Sequence, residues 1–306
     1  MTYRTLGASV LTGAAAAVAA RLAYRGLRRF PPGGEKAWSR VNHRGEAVTL
    51  LEGPAAVAGA VAATAVAAAF LGAAGGRLSG LPGPERAVAD GLPLALCAAG
   101  LGAGAFGVLD DLKGSGKRRG LRGHLGALRD GEVTTGTVKL AGLAVAGAAS
   151  AALLRRHQGG SHLDAVVNAG LIAGGANLLN LFDLRPGRAI KVAALSAALL
   201  STASAATGRP AQGAAAVAAP VGAALAVLGE DLGERAMLGD AGANSLGAML
   251  GVAAAATLPR PARIGLLTGI VALTGLSEKV SFTKVIARTP ALNWLDMLGR
   301  RAPGAT

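Results

Sequence analysis

Three short stretches carry residue types that could do chemistry. Gly107-Val-Leu-Asp110-Asp111-Leu-Lys113 puts two adjacent carboxylates at the end of an apolar run that begins near Ala87. Asn177-Leu-Leu-Asn180-Leu-Phe-Asp183 spaces two amides and a carboxylate three residues apart, so all three share one side of a helix. Leu238-Gly-Asp240-Ala-Gly-Ala243 sets a carboxylate among small residues where another apolar run begins. Ionisable groups beside a bilayer are costly, and by default they mark function. Each stretch also has a plainer reading. Asp110 and Asp111 could be a stop signal at the membrane surface. Asn177 and Asn180 could bond to a neighbouring helix, and Asp240 could be an N-cap. Three acidic motifs at span ends argue for a site.

The elements that would position these groups are membrane helices. The 306 residues are 52% apolar and 16% charged, and the apolar runs are too long for a soluble core of that charge. Residues 53–72 carry one Thr as their only polar side chain, which indicates a span. Nine such runs are expected: 5–24, 53–72, 87–109, 136–154, 163–181, 189–206, 213–229, 242–258 and 262–277. The fold class is therefore all-α and polytopic. A multi-span domain covers 1–277, and an amphipathic tail covers 278–306. The leader-like start, Arg4 followed by Leu6–Ala20, precedes no hydrophilic domain and reads as the first span. Cys97 is the single cysteine, so no disulfide framework is available.

A net charge of +14 could indicate nucleic acid, but aromatics are only 3% and offer no stacking platform, so nucleic acid is excluded as a partner. The cations fall between the spans. Alternate connections hold 23 of the 31 Lys and Arg, and the others hold 8. The positive-inside rule then puts the N-terminus outside and the tail in the cytoplasm. That assignment used no acidic residue, yet it gathers Asp110, Asp111, Asp183 and Asp240 on the cytoplasmic face. Carboxylates and surplus cations on one face suit a metal with a polyanionic substrate. Mg²⁺ favours one or two carboxylates plus substrate phosphate oxygens, and small residues at a helix start let an anion approach backbone N–H groups. A transporter would need polar groups along a path through the bilayer, and these cluster at one face.

In this order, Asp-Asp after a third span, Asn-x-x-Asn-x-x-Asp after a fifth and Gly-Asp-x-Gly before an eighth resemble the polyprenyl-phosphate hexosamine-1-phosphate transferases. That superfamily includes the phospho-N-acetylmuramoyl-pentapeptide transferase of peptidoglycan synthesis. The likeness runs from about residue 40 to 258, and Arg40-Val-Asn-His-Arg44-Gly45 resembles the first cytoplasmic loop of some members. It implies transfer of a sugar-1-phosphate from a UDP-sugar to polyprenyl phosphate with release of UMP, at a bacterial cytoplasmic membrane. It further implies that Asp110 and Asp111 position or deprotonate the lipid phosphate and that Asp240 binds Mg²⁺ or Mn²⁺. Asn177, Asn180 and Asp183 would surround the uridine diphosphate, with Lys113, Lys139, Arg185 and Arg188 as phosphate partners. A homodimer is left open as a further partner. The chain also departs from the family. Pro186 stands where a further Asp is usual, Met237 replaces an aromatic, and the His-rich loop after the ninth span is missing, the last His being His162. Those losses keep a second reading in play, a catalytically silent relative that binds lipid phosphate or an envelope partner. Phe282–Leu298 reads as one amphipathic helix on the membrane surface, its apolar face carrying Val285, Ile286, Leu292, Leu295 and Leu298. One of the pairs Arg185/Arg188 and Lys279/Lys284 is expected to face the acidic cleft.

Overall fold

The computed structural model describes residues 3–77, 84–114 and 120–301. Long helices account for nearly all of it: α1 (Tyr3–Arg29), α3 (Glu52–Arg77), α4 (Pro84–Lys113), α6 (Thr135–Gln158), α7 (His162–Phe182), α8 (Arg188–Ala206), α9 (Pro210–Leu232), α10 (Gly239–Thr257) and α11 (Arg260–Ser277). Between them lie short elements: α2 (Glu35–Trp38), the hairpin β1 (Ser39–Val41) and β2 (Ala47–Thr49), α5 (Gly120–Arg129), and α12 (Phe282–Arg288) with α13 (Pro290–Met297) in the tail. Ala-rich runs with few β-branched residues favour helix, and in a bilayer the helix also satisfies its own backbone polar groups.

Among the described residues, seven helices are long and apolar enough to cross a membrane: α1, α3, α4, α6, α7, α8 and α9. An eighth span results if α11 and α12, bent by 96° at their junction, count as one. Of the nine expected runs, those in α10 and in α11 taken alone fall outside this set on length and composition, and α10 is also surrounded by protein. Every residue of α10 is buried apart from Asp240, and it packs against α7, α4, α3, α9 and α8. Glycine makes that close packing feasible. A Cβ on Gly107 would lie 2.5 Å from the Ala241 Cα, and one on Gly251 would lie 2.6 Å from the Ile172 Cα. With no hydrophobic drive between helices in lipid, such backbone proximity is what holds spans together.

Two boundaries differ from expectation. The third span does not end at Asp110, because α4 continues through Asp110 and Asp111 to Lys113. The tail is not one helix either. Thr289 is extended (φ −104°, ψ 107°) between α12 and α13, because the ring of Pro290 disfavours the α conformation in the residue before it. Pro290 then suits the first turn of α13. Of the expected apolar face, Val285, Leu292, Leu295 and Leu298 are exposed, as is Trp294. Residues 302–306 of the expected tail lie outside the described residues.

Candidate functional site

Adjacent residues on a helix point about 100° apart, so Asp110 and Asp111 serve different partners. The Oδ2 atoms of Asp110 and Asp240 both meet the Lys139 ammonium, at 2.9 and 2.5 Å. Lys139 comes from the first turns of α6 and is largely buried. Asp111 turns towards the start of α10, where its two oxygens accept the Asp240 and Ala241 backbone N–H groups at 3.0 and 2.9 Å. The α10 N-terminus is thus capped by a carboxylate of another helix, which suits the positive end of the helix dipole. This corrects two expectations. Asp240 is not the cap of its own helix, and the amides foreseen as an anion site are already engaged by Asp111.

The hairpin before α3 secures the other side of the site. The Arg40 guanidinium donates to the Asp111 backbone carbonyl. Thr49 of β2 accepts the Met237 N–H at 3.0 Å, which pins the segment leading into Gly239 and Asp240. Within the hairpin turn, Asn42 donates to Glu234 at 3.0 Å, and Arg44 pairs with the other Glu234 oxygen at 3.0 Å. The Arg40–Gly45 stretch therefore acts as a positioning element for the acidic motifs. Gly239 sits at φ +63°, a left-handed conformation, and a Cβ there would lie 3.0 Å from an Asp111 oxygen. Only glycine combines that backbone with that contact.

Asp183 joins the same cluster. It ends α7, and the Gly239 amide lies against its carboxylate. Loss of surrounding water, with Asp231, Asp240 and Asp111 as neighbours, pushes the Asp183 carboxyl well above its ordinary range. Asn177 and Asn180 are half-buried on α7 and make no side-chain hydrogen bond among the described residues. The interhelical hydrogen bonds that were their plainer reading are thus absent there. Lys113 is exposed at the last turn of α4.

The proposed phosphate clamps lie elsewhere. Arg188 is buried and grips Asp296 of α13 through two hydrogen bonds, of 2.7 and 3.0 Å. It also donates to Thr283 at 3.0 Å. Arg300 and Lys191 complete this set, through the Asp296 carboxylate and the Asp296 carbonyl at 2.7 Å each. Arg188 therefore fastens the tail rather than facing the cleft. Arg185 is half-buried and donates to its neighbour's carbonyl. Lys279 and Lys284 are exposed. Phe282 stacks on Phe182 with ring centroids 5.2 Å apart, which holds the tail beside the end of α7.

Two acidic residues at this end were not singled out from sequence as site members. Glu52, the first residue of α3, is fully buried with neither carboxylate oxygen hydrogen-bonded. Its electrostatic neighbours are Asp231, Asp183 and Glu230. Asp231 is buried and accepts the Gly187 N–H at 3.1 Å, which fixes the turn after Asp183. A lone Glu opening an apolar run is an ordinary boundary in sequence, and only the folded chain shows that it faces inwards.

Among the described residues no group of three or more His, Cys, Asp or Glu is arranged to hold a metal ion by itself. What exists is a two-carboxylate seat, Asp110 and Asp240, meeting at one cationic atom. No family model matches the sequence, and no curated protein matches it. The case for function therefore stands on the motifs and on this geometry.

Proposed function

We propose that the chain transfers a sugar-1-phosphate, of the N-acetylhexosamine type, from a UDP-sugar to polyprenyl phosphate and releases UMP for envelope glycan synthesis. The observation that carries this reading is the meeting of Asp110 and Asp240 at the Lys139 ammonium, with Asp111 and Asp183 bracketing the same helix start. Residues of three motifs, spread over about 130 positions of sequence from Asp110 to Asp240, converge there. On the reading that the cation-rich connections are cytoplasmic, the site opens where a nucleotide sugar is available.

In the reaction an oxygen of the lipid phosphate attacks the sugar-side phosphorus. The new P–O bond forms as the bond from that phosphorus to the UMP oxygen breaks. The lipid phosphate attacks as its dianion, so no proton needs removing, and the Lys139 ammonium, positioned by Asp110, donates to the phosphate oxygens as charge builds on them. Asp111 is a positioning residue that orients Asp240 through the α10 backbone. Asn177, Asn180 and Asp183 line the side assigned to the uridine, and the free amides are suited to the edge of a base. Asp110 and Asp240 offer two hard oxygen donors, the number Mg²⁺ or Mn²⁺ takes from protein when substrate phosphates supply the remaining ligands. Lys139 would have to yield the point between them. When bound, such an ion supplies charge neutralisation for an in-line displacement; Asp110 and Asp240 would hold it.

A silent relative is the second reading, and one observation favours it. Lys139 occupies the point between the two carboxylates, while Arg188 is committed to the tail. Purified protein with Mg²⁺, undecaprenyl phosphate and a panel of UDP-sugars separates the two readings. UMP release that depends on the lipid supports the enzyme, and none with any donor supports the silent relative.

A further inference from the structure

The end of the bundle away from Asp110 and Asp240 holds a cavity of about 1080 Å³, at the upper end of the range for small-molecule sites. Its wall is apolar on one side and polar on the other. Ala8 of α1, Ala67 and Ala68 of α3 and Pro93 of α4 give it an apolar side, over the buried Leu92, Leu96 and Leu154. The polar side comes from the ends of α7, α9 and α11. There Arg209, Arg260 and Arg263 stand against one carboxylate, Asp164.

That carboxylate is fully engaged. Ser161 donates to it through both backbone N–H and hydroxyl, at 2.9 and 2.7 Å. Arg260 pairs with both of its oxygens, at 2.8 and 2.5 Å, and Arg263 pairs at 2.9 Å. One negative charge thus serves two guanidiniums, and among the described residues Arg209 meets only the Ala256 carbonyl, at 3.3 Å. The described lining therefore carries an excess of two positive charges, leaving His157 aside. The Arg263 Nε–H is buried with no acceptor, although the same side chain also donates to Asn168 at 2.6 Å. A buried donor without an acceptor is costly. A surplus of cations beside an apolar pocket calls for a ligand that is anionic at one end and apolar at the other.

We propose that this cavity binds an anionic amphiphile, a membrane lipid with a phosphate headgroup, with the headgroup at Arg209 and Arg263 and its acyl chain along Ala8, Ala67, Ala68 and Pro93. The site is separate from the acidic cluster and needs no turnover, so it stands or falls independently of the reaction proposed above.

The test uses the delipidated full-length protein in a neutral detergent, with thermal unfolding followed during titration of three probes. Dioctanoyl phosphatidylglycerol has both features, glycerol phosphate has the charge without chains, and dioctanoyl phosphatidylcholine has chains without net charge. A saturable rise in Tm with the first, and neither of the others reproducing it, is the expected result. Arg209→Ala removes a cation outside the Asp164 network. It should weaken the apparent affinity for the first probe roughly tenfold, as loss of one charged hydrogen bond does, and Arg209→Lys should restore most of it. An equal response to glycerol phosphate would reduce the cavity to a simple anion site and overturn the lipid assignment. An equal response to phosphatidylcholine, or an unchanged affinity in Arg209→Ala, would overturn it as well. The wild-type comparison of the three probes decides the matter even if a variant does not fold.

Discussion

The two ends of the bundle solve the problem of charge in an apolar protein in opposite ways. At one end Asp164 is saturated: a capping box with Ser161 and two arginines satisfy it completely. At the other, Asp110 and Asp240 share the buried Lys139 ammonium, Asp111, Asp183 and Asp231 lean on backbone N–H groups, and Glu52 has no hydrogen bond among the described residues. Structural carboxylates are normally paired, because an unpaired charge in a low dielectric is costly. A cluster with more anions than partners is maintained against that cost, and an incoming cation or a proton would relieve it. Asp164 is satisfied as stability alone requires, and the surplus at its end is cationic. The acidic end is under-neutralised in the opposite sense, as a site for a cation and phosphates requires.

The comparison breaks most visibly at Asp240. Asp240→Asn should lower UMP release by about 10²–10³-fold or more, the scale of losing one preorganised electrostatic group. Asp164→Asn at the opposite end should leave turnover nearly unchanged while lowering Tm. Similar losses of activity in both variants, measured on folded protein, would erase the distinction between the two ends.

Next in size is the buried ion pair of the tail. Arg188→Ala leaves Asp296 without its bidentate partner, and removing one member of a buried pair costs roughly 3–5 kcal/mol. The expected outcome is release of α12 and α13, read as faster proteolysis near Thr289 with the bundle intact. Unaltered proteolysis would show that Arg300, Lys191 and the Phe182–Phe282 stack hold the tail unaided.

A comparable cost is expected where α10 meets α7. Gly251→Leu would drive a side chain into the Ile172 backbone, and overpacking of this kind costs about 1–3 kcal/mol or more. A lower Tm without a change in lipid response at the far cavity is the predicted reading.

The smallest effect concerns pH. The Asp183 carboxyl is raised in the folded protein above its ordinary value of 3.8. The folded state therefore holds that proton more tightly than the unfolded chain does. The resulting stability is fully present below the unfolded value and is lost as pH rises through the folded one. Asp183→Asn should accordingly raise Tm at neutral pH, and the gain should shrink on acidification. A gain that is constant with pH would assign it to packing rather than to charge.

Much of the fold could be read from the sequence because membrane helices are specified by composition. The expected runs at 136–154, 163–181 and 189–206 fall within α6, α7 and α8. The sequence did not reveal that α10 is enclosed, since Ala and Gly make a lipid-facing run and a protein-facing run look alike. Nor did it show the division of labour at Asp110-Asp111, because adjacent letters say nothing of the 100° between side chains. The motif Asn177–Asp183 could be placed at a helix end, but Arg188 could not be placed. Whether a cation meets phosphate or a carboxylate 108 residues further along is decided by tertiary contact alone. Thr289-Pro290 was a visible break that apolar spacing across the tail had hidden.

The most direct measurement is of product. Full-length protein incubated with undecaprenyl phosphate, a UDP-N-acetylhexosamine and Mg²⁺ should yield, by mass spectrometry, an undecaprenyl diphosphate sugar in equal amount to UMP, and Asp240→Asn should yield neither. Absence of the lipid product with every UDP-sugar tried, or its undiminished formation by Asp240→Asn, would contradict the account.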